Sequence, residues 1–296
     1  MNKVLTDGVK RKIAIGIAIA AICTAIGIVL YPLICSSYNA AHQSQIRVQH
    51  KAEIAQVADE RVVRIRKAAE EYNRTLQPIS DREYTSEMLQ DASENYGSQL
   101  DLVGDGIMGY VDIPVINTHL PIYHGTNENT LEIGVGHLLG SSLPIGGTGT
   151  HSVLTAHSGM ASQKMFSDLP QMEMGDVFYI QVLNEILAYK VDAIHTVSPH
   201  DTTHLQVESQ RDYCTLVTCT PFGVNTHRLL VRGSRIPYEP DHEPTAAKED
   251  RTEAKVTTST WNQEYVKGIL YGIGAVAVGF AGYGTYCLWR THNGKA

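Results

Sequence analysis

The sequence predicts a mostly β chain: roughly eight short strands closing into a β-barrel, with an N-terminal helical region before them and two flanking transmembrane helices. Three observations carry this expectation. Short runs of apolar residues, separated by Gly and Pro turns, follow one another from residue 108 to residue 232. A stretch without Gly or Pro, rich in Ala, Glu, Arg, Gln and Lys, precedes them. Two uncharged apolar runs of membrane-spanning length bracket the whole.

Taken in order, residues 1–12 form a basic tail ending in Lys10, Arg11 and Lys12, and this flank predicts a cytoplasmic N-terminus. Residues 13–35 (IAIGIAIAAICTAIGIVLYPLIC) read as a retained transmembrane helix; the run is long for the apolar part of a cleaved signal peptide. Residues 36–76 read as a helical stalk, with apolar residues at Ile54, Val57, Val62, Ile65 and Ala69 marking a narrow stripe on an otherwise solvated helix or helix pair. Residues 77–106 are polar and loop-like.

Residues 107–236 hold the barrel. Strand signals fall at Met108 to Ile113, at Val115, Leu120, Ile122 and Tyr123, and at His151 to Thr155. They continue at Val177 to Val182, Leu187 to Val191 with Ile194, Leu205 to Val207, Thr215 to Thr218 and Leu229 to Arg232. The stretch from Phe166 to Met174 is the candidate short helix. Residues 237–264 have linker composition, residues 265–289 form the second transmembrane helix, and residues 290–296 a second cytoplasmic tail. Glycine spacing of the GxxxG type at Gly268 and Gly272 adds little, because membrane helices carry glycine in any case. Two crossings with basic outer flanks place everything between them outside the cell.

Composition narrows the function. A net charge of −7 and the absence of a basic stripe with interleaved aromatics argue against a nucleic-acid partner. The five cysteines, Cys23, Cys35, Cys214, Cys219 and Cys287, are odd in number and lack CxxC spacing, so no disulfide framework and no zinc site is expected, and no cofactor. Cys214 and Cys219 are five apart and in a regular strand point to opposite faces, which leaves one accessible thiol as the simplest account.

The stretch at residues 215–233, TLVTCTPFGVNTHRLLVRG, concentrates chemistry. Cys219 ends one strand-like run and Arg228 begins the next, with Pro221, Gly223 and Asn225 turning the chain between them. A thiol is a strong nucleophile only as thiolate, so it needs a base or cation nearby. An arginine cannot act as the base, but its fixed cationic fork suits a developing oxyanion. Among thirteen histidines the leading candidate for the acid/base partner is His157, at the end of the strand-like VLTA, residues 153–156. Spacing alone leaves that choice open. His227, by alternation, faces away from Arg228, and His124, His137, His195, His200, His204 and His242 read as partly exposed residues of turns.

These residues carry a family resemblance. TLVTCTPFGVNTHRLLVRG together with VLTAHSG resembles the sortases, cysteine transpeptidases of Gram-positive surfaces, whose hallmark is TLxTC, an arginine on the next strand and an upstream histidine. The text of residues 109–159, from GYVDIPVINTHLPIYHG to VLTAHSG, is similar to the class C, pilin-polymerising branch. The resemblance implies Cys219 as nucleophile, His157 as general acid/base and Arg228 as stabiliser of the oxyanion or substrate. It implies partners that bear a C-terminal LPxTG-like sorting signal, cut at the Thr-Gly bond through a thioacyl enzyme and joined to a lysine of the next pilin. It also implies a location at the cell membrane with the catalytic domain extracellular. Alternatives are attachment of surface proteins to cell-wall peptide, a hydrolytic cysteine peptidase and a non-catalytic membrane scaffold. One departure stands out. Class C members usually carry an Asp-Pro-aromatic lid motif before the barrel, and LQPISDREYTSEM, residues 76–88, has Pro78 and Asp81 but no such tripeptide. Either the lid is absent or it is built differently, with Tyr84 as the candidate ring.

Overall fold

The computed structural model describes residues 7–54, 56–76, 94–160 and 163–239, together with a few helical positions between 267 and 274. Eight strands close into a barrel: β1 (Ile107–Ile113), β2 (Thr118–His124), β3 (Val135–His137), β4 (Thr150–Thr155), β5 (Val177–Val182), β6 (Glu185–Val197), β7 (Asp212–Thr220) and β8 (His227–Ile236). Their order around the barrel is β1-β2-β3-β4-β7-β8-β6-β5, and β5 returns to β1. Most neighbours are antiparallel, but β2 with β3 and β4 with β7 run parallel. That second parallel pair brings two distant pieces of sequence side by side.

Alternation along the strands sorts side chains to two faces. Leu154 of β4, Cys214 and Leu216 of β7, and Leu229 and Val231 of β8 point inward to the main core. Their neighbours Val153, Val217 and Leu230 point outward, where they form a second small cluster with Val197 of β6 and Leu205. Burying each large aliphatic side chain in either cluster contributes about 1.5–3 kcal/mol. Gly233 of β8 is small because it must be: a Cβ there would lie 2.6 Å from the Phe178 ring, which stacks on Tyr189 inside the barrel.

One strand expectation and one helix expectation need correction. Leu205 to Val207 is no strand; residues Thr203–Leu205 make a single 3-10 turn whose Leu205 packs down on the outer cluster. The eighth strand is instead β3, three residues long and too short to show a period. The stretch from Phe166 to Met174 holds a 3-10 turn, Leu169–Gln171, and no α-helix. A short helix, Glu128–Ile133, capped by the Asn127 side chain on the Thr130 N–H at 3.1 Å, also escaped the sequence reading.

The helical region is two helices, α1 (Asp7–Ile54) and α2 (Asp59–Thr75). The stripe on α2 is seated on the barrel: Ala69 is fully buried, and Val62, Ile65 and Tyr72 pack on the main core. Asn73 clamps the Leu143 backbone from both sides, accepting its N–H at 2.7 Å and donating to its carbonyl at 3.2 Å. The expectation of a solvated stalk is therefore corrected for α2; a narrow stripe suffices when it meets a preformed surface. Residues 13–35 lie within α1, and among the described residues no helix is long and apolar enough to cross a membrane. The second apolar run, residues 268–289, lies almost entirely outside the described residues, as do the linker from residue 240 and its His242.

A further short helix, α3 (Glu94–Gly97), leads into the barrel. Its Tyr96 is buried, and the hydroxyl reaches His137 Nδ1 at 2.8 Å while accepting the Gly125 N–H at 3.0 Å. His137 Nε2 faces the Ser142 carbonyl at 2.9 Å, so it carries the proton and Nδ1 accepts from the tyrosine. Burial holds this imidazole down at a pKa of about 4 and pushes Tyr96 well above the usual phenol range. His137 is therefore a neutral core residue, against the expectation of an exposed one.

Candidate active site

The residues at the ends of β4, β7 and β8 form the site. β7 is rich in β-branched residues, Thr215, Val217 and Thr218, which suit a pleated and packed strand. β7 and β8 are antiparallel, and Cys219 lies directly opposite Arg228 in the register. The connection turns through a Thr220-Pro221 cis peptide, with Pro221 accepting the Val224 and Asn225 N–H groups at 3.0 and 2.9 Å. Gly223 and Asn225 take positive φ there, a conformation that glycine and asparagine tolerate.

The parallel pairing of β4 with β7 supplies the third member. Its last ladder pair is Thr155 with Val217. Beyond it the Ala156 N–H donates to the Val217 carbonyl at 3.1 Å, and the Thr218 hydroxyl donates to the Ala156 carbonyl at 2.8 Å. Continued two residues past that pair, the same register carries His157 to the level of Cys219. The row is completed by Val197, opposite Arg228 on β6. All four belong to the outer face, since each is two residues in sequence from a position in or beside the outer apolar cluster or directly opposite one.

The chemistry of this row follows from what its side chains lack. Cys219 is a free thiol, half-buried, and Cys214 is fully buried inside the barrel, where desolvation pushes its thiol well up and makes it inert. Among the described residues, neither the His157 imidazole nor the Cys219 thiol has a hydrogen-bond partner. Arg228 donates to the carbonyls of Asn225 and His227, at 3.3 and 3.1 Å, and pairs with no described carboxylate. Its charge is thus available to an anion that forms on the row. His227, as alternation predicts, is exposed and bonds Thr226.

The loop over the outer face, residues 198–211, is tied down from below. His151 of β4, fully buried, holds the Gln206 carbonyl through Nδ1 at 2.9 Å and meets the Thr215 hydroxyl through Nε2 at 2.7 Å. Burial lowers its pKa, with the Gln206 carbonyl opposing the shift, and the neutral ring suits both contacts. Arg232 stacks 4.1 Å from the Tyr213 ring centroid, bonds Asp192 at 3.0 Å and reaches Glu208 of the loop at 3.7 Å. His195 and His204 stack at 3.8 Å between β6 and the loop. These contacts are invisible to a reading of spacing, because the loop has no period of its own.

A barrel of this strand order, with a thiol and an arginine paired in register on its outer wall, agrees with what comparison with known proteins finds. Residues 111–236 match the family model described as a sortase domain. The chain is similar to sortase C-1 from Streptococcus pneumoniae, with 41% identity and a TM-score of 0.61 over 66% of this chain and 100% of that one. It is also similar to sortase C1 from Streptococcus agalactiae, at 44% identity and a TM-score of 0.59, over 65% of this chain and 98% of that one.

This chain belongs to the sortase family.

Its structural neighbours include sortases of the C type, among them sortase C-1 from Actinomyces oris, 45% identical over 60% of this chain and 99% of that one with a TM-score of 0.57. Sortase D from Bacillus subtilis (strain 168) is 29% identical over 131 residues, which is 43% of this chain. Sortase A from Bacillus anthracis is 25% identical over 130 residues, 44% of this chain. The chain spans 63% and 60% of the lengths of these two curated relatives. Residues 77–93, with Pro78, Asp81 and the candidate ring Tyr84, lie outside the described residues.

Proposed function

We propose that this sortase is a membrane-held cysteine transpeptidase that joins pilin subunits. The Cys219 thiolate attacks the threonine carbonyl of an LPxTG-like sorting signal, and Arg228 stabilises the oxyanion. His157 gives its proton to the leaving glycine amine, and a thioacyl enzyme results. The ε-amine of a lysine on the next pilin then attacks the thioester. It returns a proton to His157, expels the Cys219 thiolate and forms the isopeptide bond. The single observation that carries the reading is the register of Cys219 opposite Arg228, with β4 ending beside β7 two residues before His157.

Two further features support it. The outer apolar cluster beside Cys219, built from Val153, Val197, Leu205, Val217 and Leu230, is buried and backs the stretch of barrel wall that carries the row. Ile15, Ile17, Ile19, Ile26, Leu30 and Ile34 of α1 are exposed, as a helix facing lipid requires, which supports anchoring by residues 13–35 in a Gram-positive cell membrane with the barrel outside. The neighbours named sortase C favour a pilin as acceptor over cell-wall peptide.

The test gives the full-length protein a sorting-signal peptide with a pilin domain, a cell-wall-type amine, or no amine. Amine-dependent product with the pilin domain, absent in Cys219→Ala, is the expected result. Product with the cell-wall amine alone would overturn the pilin reading. Cleavage indifferent to any amine would point to a hydrolase.

A further inference from the structure

β7 still holds Ala156, but His157 stands past the last ladder pair of β4, and the chain then turns at Gly159, an exposed residue with φ +81°. An imidazole carried on such a corner would wander relative to the thiol unless something held the corner. What holds it is the segment at residues 165–169. Met165, Phe166 and Leu169 are buried in the main core, which anchors this segment to the barrel interior. From that platform the Phe166 N–H donates to the His157 carbonyl at 3.0 Å. One residue on, the Ser167 hydroxyl, 1% exposed, accepts the Gly159 N–H at 2.9 Å. The platform is braced in turn by Asp168, which is 2% exposed and takes an ion pair from Lys164 at 2.8 Å, while the same ammonium also bonds the Ile116 carbonyl.

Resting on the proposed role of His157, we propose that Ser167 is a positioning residue: its hydroxyl fixes the corner at residues 157–159 and so sets the imidazole level with Cys219. The bond is a side-chain contact to backbone and cannot be replaced by the ladder, because β4 has ended. Thr218 holds the peptide before His157 through the Ala156 carbonyl and the Phe166 N–H holds the one after it, but neither bond reaches Gly159, which leaves the turn there free to pivot. Two attachments on one anchored segment remove that pivot. Ser167 is buried beneath the corner and touches no reacting atom, so its influence on turnover passes entirely through His157. Loss of geometry at this distance from the chemistry costs rate more than substrate affinity.

The experiment compares Ser167→Ala with Ser142→Ala in the full-length protein. Ser142 is a control of like burial, 3% exposed, whose hydroxyl accepts the His151 N–H at 3.1 Å and has no contact with the corner. Steady-state turnover of a sorting-signal peptide is read alongside the pH dependence of iodoacetamide alkylation at Cys219, followed by mass spectrometry of the peptide that bears it. The proposal expects kcat to fall about tenfold in Ser167→Ala with KM within about twofold, and the alkylation profile to shift along the pH axis, while Ser142→Ala leaves both alone. It is overturned if kcat falls less than about fivefold, if KM accounts for the loss, if the alkylation profile is unmoved, or if Ser142→Ala does the same. Should the wild-type protein process no sorting-signal peptide, the transpeptidase reading fails, and the alkylation profile still decides whether Ser167 sets the His157 and Cys219 pair.

Discussion

His137 on β3 and His157 past the end of β4 lie on adjacent strands of one barrel, yet their surroundings are opposites. Around His137, Tyr96 and the Ser142 carbonyl occupy both ring nitrogens, the residue is fully buried, and the neutral form is held by desolvation. Around His157 the ring is half-buried and meets no described partner, and the same is true of the thiol at its level. A satisfied, buried imidazole stabilises a fold, because unpairing it costs desolvation with nothing in return. An imidazole at the rim without such contacts makes no such contribution. Among the described residues, the barrel's hydrogen bonds go to the corner that carries the imidazole and none to the imidazole itself.

Substitution at the row should break activity and spare stability. Cys219→Ala and His157→Ala are each expected to cost about 10³-fold or more in peptide turnover, the double variant losing little beyond either single one. Arg228→Ala is expected to lose about 10²–10³-fold. In each, unfolding free energy should stay within about 0.5 kcal/mol, as measured by urea titration. A loss of stability that matched the loss of rate would erase the contrast between the two corners.

The other corner should respond to acid. His137 has a folded pKa of about 4 against 6.5 for an ordinary imidazole, so between those values the unfolded chain binds the extra proton. The stabilisation is complete above pH 6.5 and is lost as pH falls through about 4, by ~3 kcal/mol in all. His124 and His151, whose pKa values are also lowered chiefly by burial, add to the same slope. Urea midpoints between pH 7 and pH 4 measure it, and a flat profile would show that His137 is not held neutral.

Smaller effects separate the two regions further. Asn73→Ala strips both partners from the Leu143 backbone, a residue with no exposure, and is expected to cost about 1–3 kcal/mol without changing kcat. Asp192→Ala removes a partly exposed partner of Arg232, which keeps its stack on Tyr213, and should cost less than about 1 kcal/mol in thermal unfolding.

Much of this was legible before any coordinates. Alternation between Gly and Pro turns marked most of the strands, because half-buried strands write a period of two into the sequence. Alternation also separated Cys214 from Cys219, and a turn between two strand signals put Arg228 opposite the thiol, since hairpin neighbours pair locally. Three features left no such trace. β3 is too short for a period, the loop that carries Leu205 borrows its order from the sheet beneath it, and α2 shows only a stripe whose partner lies elsewhere in the chain.

The sequence by itself determined most of the strand content and the hairpin of Cys219 and Arg228. Only the tertiary structure decided that β4 runs parallel to β7 with Thr155 beside Val217, and that His137 is a core residue. A parallel pair is closed by a long crossover, and no residue within either strand records which level of its distant neighbour it will meet. That level is chosen by the packing of Val153, Val217 and Leu230 outside the barrel and of Leu154, Leu216 and Val231 within it.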